Sequence, residues 1–304
     1  LGMLWTWSAA GTLEFTPGGI LVGRLDPAAI GVLLALYMFG IGKAAIMPVH
    51  RWLPAAMVAP TPVSALLHAV AVVKAGVFTV VKVIVYIFGI DTLRPLAESG
   101  WLVYVAGATV LVASIIALRQ DNLKRMLAYS TVSQLSYVVL AAAVLAPLSI
   151  VGAALLIAAH ALGKITLFFA AGSIYTAAHK TEISQLAGIG RRMPWTMGAF
   201  AIGALSMIGL PPAAGFVSKW YMLAGALQAE HWVALGVIAA STLLNAAYFA
   251  PIVYRAFFRA PHGKAHGEAP LPMVLALVAT ALATLALFFF PQVPLALARA
   301  LQGG

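Results

Sequence analysis

Residues 68–76 read HAVAVVKAG, inside an apolar run that extends over about 62–89. The run is longer than the roughly 20 residues that cross a bilayer. It is nevertheless interrupted by His68, Lys74 and Lys82. An ammonium group at the centre of a membrane helix costs about 2.5–3.5 kcal/mol on insertion scales. A chain that accepts this cost is using the charge.

The rest of the sequence puts this run in context. Of 304 residues, 63% are hydrophobic and 9% are charged. A soluble domain carries about 25% charged residues, so this chain cannot cover a globular surface. Similar apolar runs recur at about 27–48, 99–118, 123–145, 147–177, 193–219, 231–258 and 270–290. The expectation is an all-α polytopic membrane protein with about eight transmembrane helices. The absence of cysteine excludes disulfides and cysteine-held iron–sulfur centres from the chain. The net charge of +10 is not a nucleic-acid face, because the basic residues fall in loops or singly inside apolar runs.

Two of these runs are broken. Pro48, Pro54, Pro60 and Pro62 fall within fifteen residues after the first of them, and Pro211 and Pro212 interrupt the one at 193–219. Proline removes a helix donor and clashes with the preceding turn, so short broken pieces are expected at both places. GKAAIMPVHRWLP (42–54) and GLPPAAGFVSKWYM (209–222) echo each other, each joining a proline break to a lysine and a tryptophan. Paired broken helices are a sequence sign of a transporter built from repeats. The first 26 residues, rich in Trp, Gly and Pro turns, read as an interfacial segment or the end of an earlier helix. The chain opens on Leu1 and is expected to be part of a longer protein. The tail PLALARALQGG reads as a short amphipathic end.

Loop charge sets an orientation. Nine basic residues fall in three alternate loops: Arg119, Lys124 and Arg125; Lys180, Arg191 and Arg192; Arg255, Arg259 and Lys264. The opposite loops, at 90–98, 145–147 and 227–231, hold only Arg94. The positive-inside rule puts the basic loops in the cytoplasm and the C-terminus outside.

Lys43, Lys74, Lys164 and Lys219 are expected deep in helices, with Lys82 nearer an end where it can snorkel. All eight acids, by contrast, lie in loops or flanks. The buried lysines must therefore lose their protons, sit in water, or pair with an acid beyond the chain. His160 stands one helical turn from Lys164, on the same face, and is suited to relaying protons. Ser130, Ser133, Gln134 and Tyr137 can line one face of the helix at 123–145 and hold water, or serve as hydrogen bonds between helices. No catalytic motif or cofactor ligand set is visible, and His50, His179, His231, His262 and His266 do not form a metal site.

These residues sit in blocks that resemble a known family. GIGKAAIMPVHRWLPAAMVAPTPVSALLHAVAVVKAGVF (40–78), DNLKRMLAYSTVSQLSYV (121–138), AAHALGKITLFFAAGSI (158–174) and GLPPAAGFVSKWYML (209–223) are similar, in content and order, to the antiporter-like proton-conducting membrane subunits. These subunits occur in respiratory complex I, membrane-bound hydrogenases and Mrp-type sodium/proton antiporters. The wording of the first block looks most like the Mrp D-type subunit and its hydrogenase relatives. The resemblance covers about residues 27–259. It implies a fold of about fourteen helices with two inverted five-helix repeats, each with a broken helix. Residues 27–90 would then end the first repeat, 99–259 form the second, and 270–290 add a terminal helix.

The resemblance also implies roles. Lys43 matches the lysine of the first broken helix, whose glutamate partner lies on an earlier helix. His68 and Lys74 match connecting positions, His160 and Lys164 the central relay, and Lys219 the terminal residue of the second broken helix. Protons would pass from Lys43 to Lys74 through His68, to Lys164 through His160, and on to Lys219. The expected function is proton translocation, with or without sodium exchange, in a multisubunit complex of a prokaryotic inner membrane. The expected partners are other membrane subunits, the lipid bilayer, H+ and Na+, with no metal, cofactor or nucleic acid. The rival readings are a non-transporting scaffold, with the lysines satisfied by a partner, and an independent secondary transporter. Redox chemistry, if any, would belong to partner subunits.

Overall fold

The computed structural model describes residues 1–261 and 266–301. The expectations that fall on His262, Lys264 and the last three residues of the tail lie outside the described residues. The chain folds as a helical bundle with no strand among the described residues.

α1 (Gly2–Ala10) is followed by irregular turns to Asp26. α2 (Pro27–Gly40) starts cleanly because Asp26 caps it, its carboxylate accepting from the Ala29 N–H at 2.8 Å, and Pro27 is preset for the first turn. α3 (Thr61–Phe88), α4 (Trp101–Leu118), α5 (Leu123–Ala143) and α6 (Pro147–Ala178) follow. α7 (Pro194–Ile208) and α8 (Ala214–Gln228) are the halves of the second broken helix. α9 (Trp232–Phe258), α10 (Leu271–Phe289) and the short α11 (Gln292–Ala300) complete the chain. Among the described residues, six helices are long and apolar enough to cross a membrane: α3, α4, α5, α6, α9 and α10. Two further crossings are expected from the sequence; there the structure has the shorter apolar α2 and the broken α7–α8 pair.

At the two extremes, burial runs against hydropathy. α5 has the lowest hydropathy of the six long helices, 1.3, and 89% of its apolar window is buried; α10 has the highest, 2.3, and only 22% is buried. Lipid rewards apolar surface, so the polar residues of α5 are affordable only because α4, α6 and α9 surround them. α6 is 32 residues long, about 48 Å at 1.5 Å per residue. It runs through the centre against α5, α7, α8 and α10.

The loops join at two ends. At one, the Leu123 N–H donates to Thr181 O (2.9 Å), Ile183 N–H to Asp121 O (2.7 Å) and Gly188 N–H to Arg255 O (3.0 Å). At the other, the Arg94 guanidinium donates to Leu145 O at 2.9 Å. The basic segments predicted to share one side do share one end of the bundle.

Short broken pieces fill the first proline-rich stretch, as expected, but the helix before it ends ahead of the first proline. α2 stops at Gly40, before Pro48, and continues as a single 3-10 turn, Gly42–Ala44, closed by Ala45 in left-handed backbone (φ 56). Pro54 lies within the short helix Trp52–Ala55, and Pro60 and Pro62 begin α3. Proline in a first turn forgoes a donor that has no partner there anyway, so these residues start helices more than they break them. Pro211 and Pro212 do lie in the gap between α7 and α8.

Candidate functional site: a buried lysine row

α3 brings Lys74 into the centre between two π-helical turns, Leu66–Val70 and Val83–Phe88. Such turns cluster at functional sites. Gly76 then allows a close approach: a Cβ there would lie 2.4 Å from both Ala44 N and Lys43 C. The backbone of the first break therefore rests directly on the helix that carries Lys74.

Across the interface, Lys74 Nζ is hydrogen-bonded to His160 Nδ1 of α6. One turn along α6, the fully buried Lys164 donates to Ser130 Oγ and, at 3.0 Å, to Leu127 O of α5. The Phe249 ring of α9 lies 5.8 Å from its Nζ. Three helices thus bring together two polar pairs, Lys74 with His160 and Lys164 with Ser130, one helical turn apart along α6. No carboxylate is buried among the described residues.

The second cluster forms at the second break. α7 ends at Gly209, whose φ of 87 is left-handed, leaving the last carbonyls of α7 without helical partners. Lys219, from the first turns of α8, folds back over the gap. It donates to Ile208 O (2.7 Å), Met207 O (3.4 Å) and Thr242 Oγ1 (3.1 Å). A Cβ on Gly209 would lie 2.4 Å from Lys219 Cδ, so glycine serves both the backbone turn and the side-chain path. Gln134 Nε2 and Asn245 Nδ2 also donate to Met207 O, at 3.0 and 3.4 Å. Below Lys219 Nζ, the Tyr137 ring lies at 4.8 Å, and its hydroxyl is hydrogen-bonded to Ser241. An ammonium at a helix C-terminus is stabilised by the unpaired carbonyls and the helix dipole.

Four expected water-lining residues of α5 are all buried and engaged. Ser130 holds Lys164, Ser133 pairs with Ser114 of α4 at 2.9 Å, Gln134 reaches the second break, and Tyr137 lies under Lys219. Some polar atoms have no partner among the described residues: both ring nitrogens of His68, His160 Nε2 and Gln134 Oε1.

The structure departs from the expected placements of His68 and Lys43. His68 does not bridge Lys74: it packs on Phe168, with ring centroids 5.2 Å apart, and Lys74 reaches His160 directly. The cause is packing, since α6 lies against both halves of α3 and presents His160 to Lys74. Lys43 is not deep in a helix. It lies in the 3-10 turn of the first break and is exposed on this chain, because α2 has already ended. Lys82 lies nearer the end of α3, as expected, and its ammonium lies 4.1 Å from the Phe15 ring. The sequence reading also passed over Ser241, Thr242, Asn245 and Tyr248 of α9. Three of these recur at helical spacing within STLLNAAYF (241–249), and that one-sided polarity in an apolar helix was the available signal.

Comparison with known proteins follows the same lines. A family model described as NADH:quinone oxidoreductase/Mrp antiporter, TM, matches residues 1–245. The chain is 37% identical over 280 residues to NADH-quinone oxidoreductase subunit N of Desulforudis audaxviator, a match covering 90% of this chain and 55% of that one. It is 38% identical over 251 residues to subunit L of the same kind of oxidoreductase from Rickettsia bellii, covering 82% and 37%. In fold it is similar to a chain of the Mrp complex from Dietzia sp. DQ12-45-1b, with a TM-score of 0.88 at 23% identity, covering 99% of this chain and 64% of that one. The chain thus spans between a third and somewhat over a half of the curated relatives it matches.

Proposed function

The chain belongs to the NADH:quinone oxidoreductase/Mrp antiporter transmembrane family, and from that premise we propose that it moves protons along its buried lysines as part of a multisubunit membrane complex. The observation that carries this reading is the contact line Lys74–His160 and Lys164–Ser130 across α3, α6 and α5, set among residues that include no buried carboxylate. A structural ion pair would bring a counter-charge with it. These lysines bring neutral partners that can accept and pass on a proton.

In this mechanism Lys74 Nζ donates its proton to His160 Nδ1, and the ring passes one on from Nε2 toward Lys164. Ser130 Oγ accepts from Lys164 and leads along α5 to Gln134. Gln134 and Lys219 meet on the same acceptor, Met207 O, so the second break is the far terminal. Water carries the proton over the gap between Ser130 and the Gln134 amide, where Gln134 Oε1 has no protein partner. Lys43 enters at the other end through the backbone contact at Gly76. An acid from elsewhere in the protein or complex faces it and biases the charge along the row. Exchange of sodium for protons at the same row is part of the proposal. So is the location: a prokaryotic inner membrane, with the basic end of the bundle in the cytoplasm and the C-terminus outside.

The test is proton flux, and separately sodium flux, in proteoliposomes holding the whole complex. Lys74→Met and Lys164→Met are each expected to cut proton flux by about a hundredfold, the lower end of the scale for a positioned proton carrier. Undiminished flux in both variants, with the complex still assembled, would sink the reading and favour a scaffold.

A further inference from the structure

A large cavity lies away from the lysine row, at the basic end of the bundle. It has a volume of about 790 Å³ and lies between the start of α3, the start of α5, the second half of α6 and the start of α10. Its walls are mostly apolar, with Phe168, Phe169 and Met273 among them. Its mouth is positive for two independent reasons. Lys124 and Lys180 line it, and no carboxylate does. The N-terminal turns of three long helices also line it, at Thr61 of α3, Leu123 of α5 and Pro272 of α10. Helix N-termini carry partial positive charge, although here Pro272 has no N–H and the Leu123 N–H is already donated to Thr181 O. Those of α3 and α10 have no side-chain cap.

Two acids stand nearby, and neither lines the cavity. Glu182 accepts from the Asn122 and Thr181 side chains, at 3.2 Å each. Asp121 is held by Ser184 at 2.7 Å. Partial burial and then the Arg192 guanidinium pull the Lys180 ammonium below its ordinary pKa, a sign of crowded positive charge. Within the cavity wall, Ser173 is fully buried, and its Oγ has no hydrogen-bond partner.

We propose that this cavity seats an anionic phospholipid of the surrounding bilayer, its phosphate between Lys124 and Lys180 and an acyl chain along Phe168, Phe169 and Met273. A positive mouth repels cations, so the cavity is poorly suited to collecting protons. A soluble anion would satisfy the mouth and leave the apolar walls unused. An anionic lipid uses both, as basic pockets between membrane helices do. Phe168 also packs on His68, so the seated chain presses on a ring next to the lysine row.

The experiment uses the complete complex in vesicles containing phosphatidylglycerol or phosphatidylcholine with the same diazirine-bearing acyl chain. Photolabelled peptides are mapped by mass spectrometry. Phosphatidylglycerol is expected to label the 168–176 and 272–276 segments about tenfold more than phosphatidylcholine. The preference is lost in the Lys124→Gln/Lys180→Gln double variant. Met273→Trp, which fills the cavity and keeps the charges, is expected to abolish labelling of 168–176. Equal labelling by the two lipids overturns the proposal, leaving an ordinary lipid-facing surface. Loss of labelling in millimolar inorganic phosphate overturns it in favour of a free-anion site. A partner-subunit peptide crosslinked to a photoreactive residue at Phe169, in place of lipid, overturns it in favour of a protein occupant.

Discussion

At the first break the carbonyl of Gly42 accepts from the indole N–H of Trp52 at 3.0 Å; at the second the carbonyls of Ile208 and Met207 accept from the ammonium of Lys219. The two segments use the same residue types, a lysine and a tryptophan around a proline, with the roles exchanged. At the first, tryptophan caps the break and Lys43 is turned out to the surface. At the second, lysine caps it and Trp220 is 61% exposed. Chain order explains the exchange. Lys43 lies within its break and Trp52 nine residues on, at the start of the next short helix, so only the tryptophan can reach back. Lys219 lies on the helix after its break, one to two turns in, and its side chain can fold over Gly209. A neutral cap leaves the first break's lysine available to another element. A charged cap holds the second break's lysine in place and surrounds it with α5 and α9.

The comparison can be broken most severely at Gly209. Gly209→Ala puts a Cβ into left-handed backbone, about 1–2 kcal/mol, and against the Lys219 side chain, about 1–3 kcal/mol of overpacking. The purified protein is expected to lose about 3 kcal/mol in denaturant unfolding, and an unchanged midpoint would mean that Lys219 does not run over Gly209. Next in size is the contrast between the lysines. Lys219→Met leaves buried carbonyls with fewer donors and is expected to cost about 1–3 kcal/mol, whereas Lys43→Met, at an exposed position, should stay within about 0.5 kcal/mol in this chain. Equal losses would show that both lysines cap their breaks. The smallest effect tests the tryptophans. Trp52→Phe removes one hydrogen bond to Gly42 O, worth about 1 kcal/mol, and Trp220→Phe is expected to cost nothing measurable. Reversal of that order would reverse the assignment of caps.

Much of the site could be read from residue types. His160 and Lys164 share a face because four residues make about one helical turn, and the polar face of 130–137 follows from the same period. The partners across helices could not be read this way. That Lys74 meets His160 instead of His68 depends on how α6 crosses α3. That Lys43 faces outward depends on where α2 ends, which two glycines and a left-handed alanine decide more than Pro48 does. The polar stripe of α9 was present in the sequence, but its importance lies in which break it faces.

Composition by itself determined that this is a helical membrane protein: too little charge to face water, and apolar runs long enough to cross a bilayer. The distribution of acids determined that any partner for the lysines would be neutral, water-borne or external. Only the tertiary structure decided which lysine touches which acceptor and which break is capped by charge. It alone assembled a positive, apolar-walled cavity from three helix N-termini far apart in the chain. The physical reason is that burial cost and helix period act locally along the sequence, whereas hydrogen-bond partners in a bundle are set by the packing of surfaces between helices.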